Sequence, residues 1–252
     1  MTGAGNWTWL LPGRVPTLVD AGTGDPQHLA ALADALAGQR LAQVIVTHAH
    51  GDHASGAPAI AAAHPGVRFL KWPWPERDAK WDVGWEPLGD GDEVEAGDTT
   101  LVTVHTPGHA LDHLCLWHEA SRTVFGGDLA VKGTTVWIPA TVGGSLRDYL
   151  ASLERVVALE PARLLPAHGP VIDDPDAVLR GYIKHRLRRE GQVLEALRDG
   201  DTSAEQIVAR LYEGLNDALL RFATESVQAH LIKLEQDGRV RSEAGAWHIM
   251  EP

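Results

Sequence analysis

Thr47-His48-Ala49-His50-Gly51-Asp52-His53 follows the apolar run Val44-Ile45-Val46. Side chains alternate faces along a strand, so a strand ending here aims His48 and His50 to one side. Gly51 permits a sharp turn, and Asp52 and His53 emerge facing a second point in space. One pair of ligands for each of two metals is the reading. Neutral imidazole with carboxylate is a donor set that borderline divalent ions such as zinc favour. The bland alternative is a polar loop rich in His. With 13 His in 252 residues a chance pair arises easily, but not this spacing directly after a strand of buried type.

Strands and helices alternate on both sides of the motif. Trp7 to Leu11 and Val15 to Val19 read as a hairpin around Pro12-Gly13-Arg14. Asp25-Pro26 opens a helix that runs through Leu29 to Leu36. Gln43 to Thr47 carries the motif, Ala57 to Ala63 is helical, and Val67 to Leu70 is a strand. From Trp72 to Trp85 four Trp and two Pro suggest an irregular loop, either an aromatic wall beside the metals or a small core under the loop. Strands follow at Thr99–His105, Leu114–Trp117 and Thr123–Phe125, then a helix at Leu146–Leu159 and a strand at Arg163–Pro166. The class is α/β with a substantial sheet. Beyond about residue 174 the pattern changes to helices at Asp176–Leu197, Ser203–Tyr212 and Thr224–Gln236, then a hairpin of Arg239–Arg241 and Trp247–Met250. Two domains are predicted: 1–174, catalytic, and 175–252, a helical linker with a winged-helix-like module.

The whole chain narrows the function classes. A formal charge of −12 argues against general nucleic-acid binding through the surface, although an anionic substrate could still approach bound cations. The single Cys115 sits between Leu114 and Leu116 and reads as a core thiol. The first residues lack the basic and apolar regions of a secretion signal, and no apolar run approaches the roughly 20 residues that span a bilayer. A cytoplasmic protein without membrane attachment is expected.

Three later residues extend the ligand set. His109 lies in a Pro-Gly turn after a strand, Asp128 at a strand end after two Gly, and His168 at a strand end before Gly. Short loops at strand ends are where a rigid scaffold places ligands. With His48, His50, Asp52 and His53 they make seven donors, enough for two metals sharing one carboxylate.

The order Thr-His-x-His-x-Asp-His, His, Asp, His resembles the metallo-β-lactamase superfamily over roughly residues 6 to 172. The resemblance implies an αββα sandwich with the metals at one edge of two packed sheets. His48, His50 and His109 would hold one divalent ion, Asp52, His53 and His168 the other, and Asp128 would bridge them. Zinc is the expected metal, with manganese or iron as alternatives. Asp at position 128, where β-lactamases usually carry Cys or Ser, argues against antibiotic hydrolysis. Gly133-Thr134-Thr135-Val136, Leu165-Pro166-Ala167-His168-Gly169-Pro170 and His185-Arg186-Leu187-Arg188-Arg189-Glu190 resemble the beta-lactamase-like protein 2 group. That group ends in a winged-helix-like domain, and its animal members are endoribonucleases acting on single strands. The resemblance leads to the expectation that a family strand ahead of Gly3-x-x-Asn6-Trp7 is missing.

The function expected from that resemblance is a dinuclear hydrolase in which a metal-activated water attacks a phosphodiester of single-stranded RNA. Asp52 or Asp128 would be the catalytic proton acceptor. The alternative with the same site is a thioesterase, lactonase or hydroxyacylglutathione-hydrolase-like enzyme acting on a small ester or thioester. A mononuclear iron oxygenase or a non-catalytic regulator stands third. Lys132, Thr134 and Thr135 could touch substrate or be merely solvated. Arg180, Lys184, His185, Arg186, Arg188 and Arg189 could guide RNA or pair with the acidic catalytic domain, with pairing preferred. His105 and His113 could support the ligands or be plain strand residues, and His28, His64, His118, His230 and His248 read as structural. Glu225 and Glu235 against Lys233 on the last helix argue against specific DNA binding, leaving a substrate-cleft role or a homo-oligomer contact for the module.

Overall fold

The computed structural model describes residues 5–250. The residues read for a targeting signal lie mostly outside that range, and so does any strand ahead of Gly3. Two five-stranded sheets form the centre of residues 5–172. The first contains β1 (Trp9–Leu11), β2 (Thr17–Val19), β3 (Gln43–Ile45), β4 (Arg68–Lys71) and β5 (Trp85–Pro87) in that order. β2 to β5 are parallel, and β1 is an antiparallel edge. Parallel neighbours need a crossover, and α1 (Pro26–Leu36) and α3 (Ala57–Ala63) supply two of them. Asp25 caps α1 by accepting from the backbone N–H groups of Gln27 and His28, with Pro26 in the first turn. A one-turn helix, α2 (Gly51–Ala54), begins inside the His motif.

Alternation along β2 and β3 builds two layers at once. Leu18, Val44 and Val46 pack outward on Leu32, Leu36 and Ile60 of α1 and α3. Val19 and Ile45 point inward and meet Leu101, Leu114, Leu116 and Phe125 of the second sheet. That sheet runs β10 (Arg163–Pro166), β9 (Thr123–Gly127), β8 (Leu114–His118), β7 (Thr99–His105), β6 (Glu93–Ala96), antiparallel except for β10 on β9. Its outer face, with Val104, Cys115 and Val124, is covered by Tyr149 and Leu153 of α5 (Leu146–Ala158) and by Leu179 of α6 (Pro175–Arg198). The result is an αββα sandwich. Cys115 lies inside this layer, and burial pushes its thiol up to about 12, so it is unreactive.

α6 leaves that layer and enters a separate core. Its Val193, Leu194 and Leu197 pack with Ile207 and Val208 of α7 (Ala204–Leu211), with Val227, Leu231 and Leu234 of α8 (Asp217–Gln236), and with Trp247 of the terminal hairpin. One helix therefore belongs to both cores, and the boundary placed near residue 175 falls at its first turn. The hairpin, β11 (Val240–Glu243) and β12 (Ala246–Ile249), turns through Ala244 and Gly245, both at positive φ as its two-residue turn demands.

Some expectations change. The region from Trp72 to Trp85 holds a short helix, α4 (Pro75–Asp78), and ends in β5, while β6 was not foreseen. α8 starts seven residues before the predicted Thr224, because Asn216 accepts from the backbone N–H of Ala218 and caps an earlier start.

Candidate metal centre

The seven candidate donors converge where the chain leaves β3, β7, β9 and β10. His48 Nε2 and His109 Nε2 each lie 2.9 Å from His50 Nδ1. Asp128 Oδ2 is 3.3 Å from His109 Nε2. The other carboxylate oxygen, Asp128 Oδ1, lies 3.5 Å from His53 Nε2 and 3.3 Å from His168 Nε2. Asp52 Oδ2 closes this second group, 3.3 Å from His168 Nε2 and 3.7 Å from His53 Nε2. His48, His50 and His109 thus form one trio and Asp52, His53 and His168 a second, with Asp128 presenting one oxygen to each.

Each trio depends on how its rings are held. His53 donates from Nδ1 to Asp20 Oδ2 at 2.8 Å, His109 to the carbonyl of Trp137 at 2.7 Å, and His168 to the carbonyl of Gly5 at 2.9 Å. His48 donates from Nδ1 to Thr47 Oγ1 at 3.1 Å, while that hydroxyl donates to Asp20. These outer bonds fix the tautomer and leave Nε2 as a bare lone pair on all four rings. His53 Nε2 and Asp128 Oδ1 are buried without a hydrogen-bond partner. Orphaned acceptors facing one another fit cations, and an all-nitrogen-and-oxygen set suits zinc, manganese or iron.

The electrostatics describe the same demand. Burial and the neighbouring His109 push His50 down to about 3, and His48 also lies well below its ordinary value through burial and His53. His53 goes the other way, up to about 10: burial opposes the charge, but Asp20 and Asp128 outweigh it. Asp20, Asp52 and Asp128 around His53 thus favour positive charge at this point, which a cation bound at its Nε2 would supply.

The scaffold brings in residues whose role was not legible beforehand. Asp20 ends β2 and accepts from the backbone N–H of Thr47 at 2.8 Å as well as from His53. Asp112 accepts from the backbone N–H of Ala49 at 2.8 Å, between the first two His ligands. Its partner Lys71, 1% exposed, reaches Asp112 at 2.9 Å, Asp78 at 2.6 Å and the carbonyl of Trp72. His113 has a supporting role: its Nε2 accepts from the backbone N–H of Asp128 at 3.0 Å, and its Nδ1 donates to Thr106. Burial, followed by His109, pushes His113 down to about 3, which keeps that acceptor bare. His105 stacks on Trp72 and does not reach the ligands. Gly127, at φ 47°, lets β9 approach closely, since a Cβ there would sit 2.7 Å from His113 Nε2.

The remaining candidates divide. Trp81 and Trp85 pack on the first-sheet core, as the small-core reading of the tryptophan region has it, and Trp74 lies against Gly143. Lys132, Thr134 and Thr135 are solvent-exposed. The basic stretch of α6 divides, with Arg186 turned into the molecule and Arg180, Lys184 and Arg188 exposed. Arg180 pairs with Asp176, Arg186 is buried on the carbonyl of Val136, and Arg189 covers the Tyr212 ring.

Comparison with known proteins agrees with this architecture. Residues 2–168 match the Metallo-beta-lactamase superfamily and residues 203–247 the Beta-lactamase associated winged helix domain. The Beta-lactamase-like protein 2 homolog of Drosophila melanogaster is 31% identical, covering 100% of this chain and 90% of its own. An atrochrysone carboxyl ACP thioesterase of Aspergillus fumigatus is 30% identical over 92% of this chain and 56% of its own. A beta-lactamase domain protein from Burkholderia ambifaria superposes with a TM-score of 0.85 at 23% identity, over 97% of this chain and 87% of that one. The chain therefore belongs to the metallo-β-lactamase superfamily of metal-dependent hydrolases, and carries that superfamily's associated winged helix domain at its C-terminal end.

Proposed function

We propose that the protein is a dinuclear metal hydrolase that cleaves an ester or thioester bond. The observation that carries the reading is Asp128, whose two oxygens face separate trios of donors. Two divalent ions bound there would generate a nucleophile from water at neutral pH and polarise the carbonyl oxygen of the substrate. His48, His50 and His109 would hold one ion and Asp52, His53 and His168 the other, with zinc the first choice. Asp52 and Asp128 border the space between the trios and are the groups that can receive the proton of the attacking water. Asp20, Thr47 and His113 hold the ligands in place and do not touch substrate.

The choice of an acyl substrate over single-stranded RNA rests on charge. Phosphate contacts need available Lys and Arg. Within the basic stretch Arg186 is buried and Arg189 is stacked on Tyr212, and the exposed Arg180 (paired with Asp176), Lys184 and Arg188 stand against a net charge of −12 for the whole chain. A relative named as a thioesterase points the same way. RNA cleavage is the alternative. The deciding experiment offers acyl thioesters, lactones and unstructured RNA to zinc- or manganese-loaded protein at low salt. Thioester or lactone turnover that stops with a chelator and returns with metal is expected. RNA cleavage with intact thioesters and lactones would reverse the choice.

A further inference from the structure

Large apolar side chains at the surface are unevenly distributed. Among the described residues seven are prominently exposed; three of them, Trp7, Leu111 and Val142, lie on segments that contact or adjoin the metal centre, and two more, Leu219 and Leu220, lie on the helix that packs on one of those segments. Trp7 donates from its indole N–H to the carbonyl of Gly169, next to His168, and Leu111 lies two residues beyond His109. Val142 sits in the loop joining Trp137 to Ser145. That loop is rooted at both ends on the turn of the third His: His109 Nδ1 donates to the carbonyl of Trp137, and the backbone N–H of Ser145 donates to the carbonyl of Gly108. Leu219 and Leu220 occupy the start of α8, whose Phe222 meets the Trp137 ring edge-on at 5.4 Å. α8 is also fastened to the loop, since Thr141 Oγ1 donates to Glu225 at 2.8 Å.

Solvent-facing groups of this kind, 38% to 55% exposed, lose little by being scattered singly, but grouping them beside a polar reaction centre marks a binding surface. We propose that Val142, Leu219 and Phe222 form an apolar lip that binds the hydrocarbon arm of the substrate, so that the C-terminal module sets acyl-chain preference. The inference rests on the ester or thioester reading and names its substrate class: an acyl group with an extended apolar tail. The polar end lies at Asp52 and Asp128. The tail runs along the loop from Trp137 to Ser145 toward the first turns of α8. Two winged-helix features therefore serve the catalytic domain, the fastening at Thr141–Glu225 and the apolar face beside it.

The test compares acetyl, hexanoyl and decanoyl thioesters on metal-loaded protein. Each methylene buried on the lip raises kcat/KM by about threefold to fourfold until the lip is filled. The double variant Val142→Asp, Leu219→Asp should cut the decanoyl-to-acetyl ratio of kcat/KM by at least about tenfold, with the loss in KM. Leu187→Asp, on an exposed position of α6 away from the centre, serves as the control and should keep the wild-type ratio. An unchanged ratio in the double variant overturns the lip. Binding of a decyl thioether, which cannot be hydrolysed, is measured separately on the same proteins. If no thioester turns over, that measurement still decides: tight binding lost in the double variant supports the lip and sinks only the choice of bond, whereas equal binding in all three proteins overturns it.

Discussion

Asp20 Oδ2 lies 2.8 Å from His53 Nδ1, both side chains buried, with Asp20 held at a φ of 65°. The bond crosses from the end of β2 to the first turn of α2 and sets which nitrogen of His53 faces the site. Outer partners of metal-binding imidazoles typically contribute 10–100-fold in metal affinity. Asp20→Asn keeps a residue that tolerates a positive φ but removes the charge. We expect one ion to bind about 10–100-fold more weakly and the other much less so, read by competition with a chromophoric chelator. Equal weakening of both ions would contradict the assignment of His53 to one trio.

Asp128→Ala removes the carboxylate that faces both trios. Activity should fall by more than about a hundredfold, beyond the range for losing an outer partner. Metal content after supplementation should drop from two toward one, by elemental analysis. Circular dichroism and the denaturation midpoint should change little, because Asp128 packs no apolar surface. Near-native turnover with two ions bound would refute the bridging role.

The clustering of the candidate donors was legible because four of them are neighbours in the chain: His48, His50, Asp52 and His53 need only one strand and one turn to converge. His109, Asp128 and His168 are individually weak signals that gain meaning only when β8, β9 and β10 are laid side by side. Asp20 carries no sequence signal of its role, since nothing local says that β2 lies beside the motif strand. Lys71 offered a clue that went unused. It continues Phe69-Leu70 inside a buried parallel strand, where an ammonium group persists only if carboxylates are buried with it. The early start of α8 was missed because Leu219, Leu220 and Phe222 follow no helical period toward a core.

Lys71→Met should therefore be costly. It leaves Asp112 without its cation, and burial already raises the pKa of that carboxyl. Breaking one partner of a buried ion pair typically costs 3–5 kcal/mol, so stability in urea should fall by about that amount. A loss below about 1 kcal/mol would show the cluster to be solvated.

His230 predicts a pH dependence. It is a residue of α8, fully buried, with neither ring nitrogen bonded. Burial, then Arg186, Arg189, Lys233 and His185, holds its pKa well below the ordinary value. A depressed imidazole pKa means that the unfolded chain binds the proton and the folded chain does not. Stability is thus complete above about pH 6.5 and falls as the pH drops below it. His230→Leu should remove up to about 2 kcal/mol of the wild-type decline between pH 6.5 and 5, seen as a flatter plot of urea midpoint against pH. Parallel plots would rule this out.

A 24-residue α6 is a rod of about 36 Å with one end in each core. Such a helix transmits torque and strain without a hinge, so the winged helix cannot swing free as a domain on a flexible tether would. Cutting the gene before or after α6 would strip an apolar stripe from one half or leave it bare on the other. The two modules are expected to melt in a single transition and to be inherited as a unit. Recombination that grafts this winged helix onto another catalytic domain would succeed only if the whole rod travelled with it.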